Sequence, residues 1–534
     1  MTSMLLTILF TFIFSCLSTA ILSYISMAVM LGPWIDSTIV LASSMLFALF
    51  ARKISLATRQ QSIALVTIGA SVGGIIATAC GFAFPTLYFL DKELFNAWLA
   101  QPLYFMSIMG ILALCAGAFG LLLANLFEHR FMVVEPLPFP IGELSYKMIS
   151  AQQSGTKARE LSVGFILSTL YSVAIHYIPS IPTTITAFPA LCYRWFTFPA
   201  LRITLAELPM LWAIGFIAGH TIAIPLAIGI LAKNLICSPA HATCFAHLPF
   251  CDFLVAFAGG MVAYGAIISF LTLPSAFKGF SGKKNNDQKE KLMFPKIAFS
   301  ELAQWVVFLI ATYAFLSYFK FSLLSQIYLL LCTALCTYQL IMIGGKIGIA
   351  PLARYATFVM VPGMMLFGFN AVQIMLVSTF VEICGGVAVE ILFGRKVGQL
   401  SSLPRLKVRL FQWFGLLISA AAIGFCFWVL ITNLGLGSAQ LVAQRGQSRA
   451  LLVMVQSFDF FALILGALFA SILKELKVNA IMVLGGILMP TELALPLVFG
   501  GLSSLLAKDK ESQYPFWSGI FAANSLWMFI KVLL

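Results

Sequence analysis

The stretch Gly215–Leu235, GFIAGHTIAIPLAIGILAKNL, decides how the chain is read, because it comes twice. Laid on Gly486–Leu506, GILMPTELALPLVFGGLSSLL, 271 residues further on, it superposes Gly215 on Gly486, Pro225 on Pro496 and Gly229 on Gly500. Ala223, Leu226, Leu231 and Leu235 find identical residues as well. Glycine and proline weaken the backbone of an apolar helix, and lipid cannot satisfy the groups they free. Such interruptions persist only where protein or a water-filled cavity satisfies them. A pair of interrupted helices, one in each half, points to a transporter's binding site. The competing reading is close helix packing through small residues, which needs the same glycines.

Composition sets the class. Of 534 residues, 61% are hydrophobic and 10% charged, and the mean hydropathy is +1.00. Apolar runs of about 20 residues, each able to cross a bilayer core of about 30 Å, recur along the whole chain. They leave no room for a soluble catalytic domain. The expected fold is an all-α polytopic membrane protein of about 14 to 16 transmembrane helices, in two parallel repeats with interrupted or re-entrant helices. Residues 1–278 form the N-terminal repeat, 279–296 a basic cytoplasmic linker and 297–534 the C-terminal repeat. The apolar amino terminus lacks a basic start and a small-residue cleavage site, so it reads as a first span.

The net charge of +13 sits in short connections between apolar runs and reports topology, not nucleic-acid binding. The basic loops Ala51–Gln60, Lys278–Lys296 and Gly394–Arg409 are placed in the cytoplasm, together with Glu128–Glu160; Asp91–Gln101 lies outside. The segment Pro179–Arg202 is ambiguous: Pro182, Pro189 and Pro199 resist a regular helix while Phe188, Phe196 and Phe198 call for burial, so a re-entrant segment and a further span both stay open. Leu451–Leu473 reads as one span. Eleven cysteines lie mostly inside apolar runs and carry no disulfide framework.

A cytoplasmic run, Glu135-Pro136-Leu137-Pro138-Phe139-Pro140-Ile141-Gly142-Glu143, leads into Leu144-Ser145-Tyr146-Lys147. It resembles the signature of the oligopeptide transporter family, including its yellow-stripe-like metal-chelate branch. The run Gly344-Gly345-Lys346-Ile347-Gly348-Ile349-Ala350-Pro351 is similar to a second family motif, with Lys346 in place of an acidic residue. The resemblance implies a secondary active importer, usually proton-coupled, for small oligopeptides or metal chelates such as siderophore-like complexes. It further implies a bacterial inner membrane, a possible homodimer and no cofactor.

A charge at the bilayer midplane costs at least about 2.5 kcal/mol, so ionisable groups inside apolar runs are functional candidates. These are Glu207, His220, Asp252, Glu301, Glu382, Glu390, Asp459 and Glu492, with His176 near the end of the fifth span. Glu492 aligns with Thr221, one position from His220, and a carboxylate and an imidazole so placed suit proton traffic. Glu207 and Glu390 complete the expected proton-coupling set. Glu492 equally fits a helix cap. Gly215 and Gly486 mark half-helix amino termini that favour carboxylate groups on a cargo. With His220, Glu492, Gln304, Asn370 and Gln373 they form the expected substrate-binding set. Gln339, Gln456 and Asn524 are of the same kind, though interhelical hydrogen bonding is the commoner use of such residues.

Glu143 and Lys147, spaced i and i+4, pair on a helix or act with Lys346 as a gate. The string Cys237, His241, Cys244, His247 and Cys251 offers soft ligands but lacks a Cys-x-x-Cys pair, so no metal is assigned; a disulfide is its competing reading. The partners expected are a small-molecule substrate, protons and membrane lipids, not nucleic acid. No Walker A run, His-Glu-x-x-His or Gly-x-Ser-x-Gly supports an intramembrane enzyme. A passive channel remains the principal alternative.

Overall fold

Apolar runs without internal polar breaks become helices because each backbone group then finds its partner inside its own segment. The computed structural model describes residues 2–28, 36–50, 55–151, 155–178, 184–188, 191–193, 196–198, 201–205, 208–254, 256–261, 264–265, 268, 299–438, 441, 443–455, 459–488, 491–507, 509–510 and 512–533. Among these, seven helices are long and apolar enough to cross a membrane, and five shorter apolar helices accompany them. The chain is an all-α polytopic membrane protein.

The helices in chain order begin with α1 (Thr2–Ala28), α2 (Asp36–Phe50), α3 (Leu56–Ala83), α4 (Thr86–Leu90), α5 (Lys92–Leu99) and α6 (Pro102–His129). Next come α7 (Pro140–Ala151), α8 (Gly155–Tyr177), α9 (Leu208–Ala218), α10 (His220–Ala232) and α11 (Ser238–Cys244), then α12 (Phe250–Met261). The series continues with α13 (Phe299–Tyr318), α14 (Leu323–Ile347), α15 (Leu352–Phe367), α16 (Ala371–Leu400) and α17 (Arg405–Leu434). It closes with α18 (Gln444–Val455), α19 (Phe460–Glu475), α20 (Ala480–Leu488), α21 (Thr491–Leu506) and α22 (Tyr514–Leu533). Between α8 and α9 the proline-rich segment forms two antiparallel ribbons, Thr184–Phe188 with Leu201–Thr204 and Leu191–Tyr193 with Phe196–Phe198. The prolines that exclude a helix there leave extended backbone, which pairs with itself.

Two compact units form. One comprises Met1–Arg159, Pro295–Met454 and Ser525–Leu534; the other comprises Glu160–Phe294 and Val455–Asn524. Each draws on both sides of the segment 279–296, which itself lies outside the described residues.

In the first unit α1, α2, α3, α6 and α7 match α14, α15, α16, α17 and α18 in order and approximate length. The matched helices run in opposite directions. Ile75 lies against Gly386 while Ile68 lies against Gly394, so α3 and α16 are antiparallel. Met106 meets Gly424, Gly110 meets Ala420 and Gly117 meets Leu416, so α6 and α17 are antiparallel too. The parallel repeats expected from counting crossings therefore give way to an inverted pair. The count failed because it treated every apolar run as a crossing. Helices α2 and α15, of 15 and 16 residues, reach only about 22–24 Å at 1.5 Å per residue, short of the bilayer core.

The second unit holds the repeated stretch. Helix α9 stops at Gly219, whose φ of +85° suits glycine and few other residues, and α10 starts at the next residue. The partner is likewise divided, into α20 and α21. Their contacts are reciprocal. Gly215 meets Leu497 as its counterpart Gly486 meets Leu226, and Gly229 meets Val483 as Gly500 meets Trp212. Around them Gly164 meets Phe516 as Gly466 meets Phe257, while Gly519 meets Leu161 as Gly260 meets Leu463. At each of these glycines a methyl would run into a backbone carbonyl. The interruption and the small-residue packing, offered as alternatives by the sequence, are both present.

Candidate functional site

Helices α3 and α16 are the two whose apolar spans are wholly buried, and the short helices α2 and α15 begin half-way along them. Leu352, the first residue of α15, packs on Gly385 and Gly386 in the middle of α16. Asp36, the first residue of α2, lies against Glu390 of α16, with the Ser71 hydroxyl of α3 beside both carboxyls. Interrupted helices that start inside a bundle present their first, positively polarised N–H groups to its centre. All the side chains discussed next belong to the first unit.

Two charged clusters stand there. Asp36 and Glu390 are buried, and one oxygen of each, Oδ2 and Oε1, has no hydrogen-bond partner among the described residues. The other cluster centres on Glu382, fully buried on α16 and paired with Arg449 of α18. Arg449 also donates to the carbonyls of Phe82 and Ala353, each at 3.4 Å, and so ties α18 to α3 and α15. One turn earlier on α18, the Arg445 guanidinium lies 3.7 Å over the Phe82 ring. Buried charges need such partners, since their desolvation costs several kcal/mol per ion.

Two runs that carried the sequence resemblance dock on one another. Phe139 takes a left-handed conformation, φ 46°, and its N–H donates to the Gly345 carbonyl at 2.8 Å. Gly345 packs against Leu137 and Phe139, and Gly348 against Pro140 and Ile141. The inverted counterpart repeats the device: Ala443, also at φ 46°, donates to the Met27 carbonyl at 2.8 Å before α18 begins.

Of the residues expected from the sequence, Glu390 and the wider candidate Glu382 lie in this centre. Asn370 and Gln373 do not; they form the reciprocal cap of α16, and the Gln373 amide donates to the carbonyls of Phe319 and Lys320. Gln304 is exposed on α13. His220 is exposed at the start of α10, and Glu492 is half-buried in the first turn of α21. Gly215 and Gly486 are helix-packing positions. The residue pair 206–207, and with it Glu207, lies outside the described residues, as does Gln456. Glu143 pairs with Lys396 at 3.6 Å, a cation supplied by α16; Lys147 and Lys346 are half-buried.

The cysteine and histidine string is dispersed. Cys237 is buried, Cys244 and Cys251 are exposed, and all three are free thiols. His241 hydrogen-bonds the Leu248 carbonyl at 2.7 Å, and His247 faces Asp459 at 3.3 Å. No group of three potential ligands able to hold a metal occurs among the described residues.

Sequence reasoning missed Asp36, Arg445 and Arg449. The signal was present in Arg445 and Arg449, two guanidinium residues at i and i+4 directly before an apolar run. It also placed Arg395 and Arg409 in a loop, whereas they sit on α16 and α17. There they clamp Glu128 of α6 at 2.8 and 3.3 Å, and Arg395 also bonds Asn125 and Gln412. Comparison with protein-family models and with curated proteins gives no match for this chain.

Proposed function

We propose that this protein is a secondary active, proton-coupled importer of small oligopeptides or metal chelates in a bacterial inner membrane. The observation that carries the reading is the buried pair Asp36–Glu390 at the start of the short helix α2. Two buried carboxyls in contact repel one another when both are charged, an arrangement suited to taking up and giving back a proton as solvent or a cation reaches them. A bundle stabilised for its own sake has no use for such a pair, because an apolar pair of similar volume would avoid the desolvation cost. Inverted halves with helices broken at mid-depth favour alternating access to a site between them. The resemblance of Leu137–Pro140 and of Gly344–Pro351 to oligopeptide transporter motifs supports the cargo class.

Uptake by proteoliposomes tests this. A panel of di- to pentapeptides and iron, nickel or copper chelates should include a cargo that accumulates against its gradient under an inward proton gradient and stops accumulating when a protonophore is added. Asp36→Asn and Glu390→Gln should abolish that accumulation while leaving exchange of cargo across the membrane. Flux that equilibrates and ignores the proton gradient would establish the passive channel instead.

A further inference from the structure

We propose that Arg445 and Arg449 form a subsite for a carboxylate on the transported molecule. The inference rests on the transport reading and names the chemistry by which the cargo is held.

Three observations converge. First, the charges do not balance. Two guanidinium groups, one turn apart on α18, share the single carboxylate of Glu382. Arg449 is committed to Glu382 and to two backbone carbonyls, yet its Nε, buried with the rest of a side chain only 4% exposed, meets no acceptor among the described residues.

Second, Arg445 has one flat face covered by Phe82 and, although it feels the charge of Glu382, no hydrogen-bonded acceptor among the described residues. A guanidinium stacked on a ring keeps its edge N–H donors in a fixed plane, the geometry that receives a carboxylate through two parallel hydrogen bonds. Arg445 is half-buried, so part of its surface stays accessible.

Third, the inverted counterpart lacks the site. Aligning Ala443 with Phe139, and Gly446 with Gly142, places Ile141 opposite Arg445 and Ser145 opposite Arg449. Helix α7 keeps the same backbone without either charge, so the helix and its left-handed entry form without them, and only Arg449 has become a tie to neighbouring helices. A structural salt bridge needs one arginine; Arg445 is the one without a hydrogen-bonded acceptor among the described residues.

A planar carboxylate is preferred over a phosphate because the neighbouring guanidinium, Arg449, already holds one, that of Glu382. The probes are acetate, citrate, trialanine, trialanine amide and phosphate, each compared with sodium chloride at matched ionic strength. Thermal unfolding of the detergent-purified full chain is the readout, since a ligand bound only by the folded form raises its stability. Trialanine and citrate should each give a saturable rise in melting temperature, and the amide should give none. Arg445→Gln should remove the rise, and Arg445→Lys, which keeps the charge and loses the plane, should weaken it at least several-fold.

No carboxylate-specific rise in the wild-type protein, or a rise unchanged in both variants, would overturn the proposal. So would a rise with phosphate alone. Should Arg445→Gln fail to fold, the lysine variant decides. Failure of accumulation in proteoliposomes with carboxylate binding intact would count against the transport reading and not against the subsite.

Discussion

Helices α7 and α18 are the same device used for two purposes. Both have 12 residues, and both follow a left-handed residue whose N–H reaches the carboxyl-terminal end of a long helix, Gly345 of α14 or Met27 of α1. Both open with a similar backbone bond, from the Glu143 N–H to the Phe139 carbonyl at 3.0 Å and from the Gln447 N–H to the Ala443 carbonyl at 3.1 Å. What they carry differs. Helix α7 is fixed by apolar burial, with Phe139 fully enclosed against Phe393. Helix α18 is fixed by charge, through Arg449. Duplication supplies the frame, and departures from symmetry within that frame mark where chemistry has been added.

Removing the charge from α18 should show the largest effect. Arg449→Ala would strip buried Glu382 of its hydrogen-bonded partner and leave it only the more distant Arg445, a loss approaching about 3–5 kcal/mol. Thermal unfolding should show a large drop, and the double variant Arg449→Met, Glu382→Met should recover most of it. A single variant as stable as the wild type would mean that α18 is held by packing, as α7 is.

Phe139→Gly comes next. It removes a buried ring, at a cost of about 3–5 kcal/mol, offset in part because glycine tolerates the left-handed backbone. The smallest change has the opposite sign. Ala443→Gly relieves the same backbone strain and loses only a methyl, so unfolding should move upward by as much as about 1 kcal/mol. Equal signs at 139 and 443 would show that the two helices do not share this backbone device.

Sequence alone reached the membrane class, most helix positions and the reciprocal Gly215 and Gly486, because hydropathy and glycine spacing are local properties. Orientation was not legible. It depends on where a run such as Asp36–Phe50 starts in depth, and a run of 15 residues looks the same whether it begins at the interface or in mid-bundle. The chemistry was half legible for a similar reason. Glu382 and Glu390 stand out as acids inside an apolar helix, whereas Asp36, Arg445 and Arg449 precede apolar runs, where charged residues ordinarily face water. Only the folding back of α2 and α18 onto α3 and α16 brings them inside. The long helix read over Leu451–Leu473 hid the boundary between α18 and α19 at Asp459, which caps α19 through the N–H groups of Phe461 and Ala462.

Alternating access to a site between the halves requires that the two halves be inverted, and sided labelling tests that directly. In a cysteine-depleted background, single cysteines at Glu135, just before α7, and at Ser438, just before α18, would be treated with a membrane-impermeant maleimide on oriented membrane vesicles. An inverted pair predicts labelling from opposite faces: Glu135→Cys from the cytoplasmic side alone and Ser438→Cys from the outside alone. Labelling of both from the same face would contradict the inverted arrangement and, with it, the mid-depth site built from α2, α15 and α18.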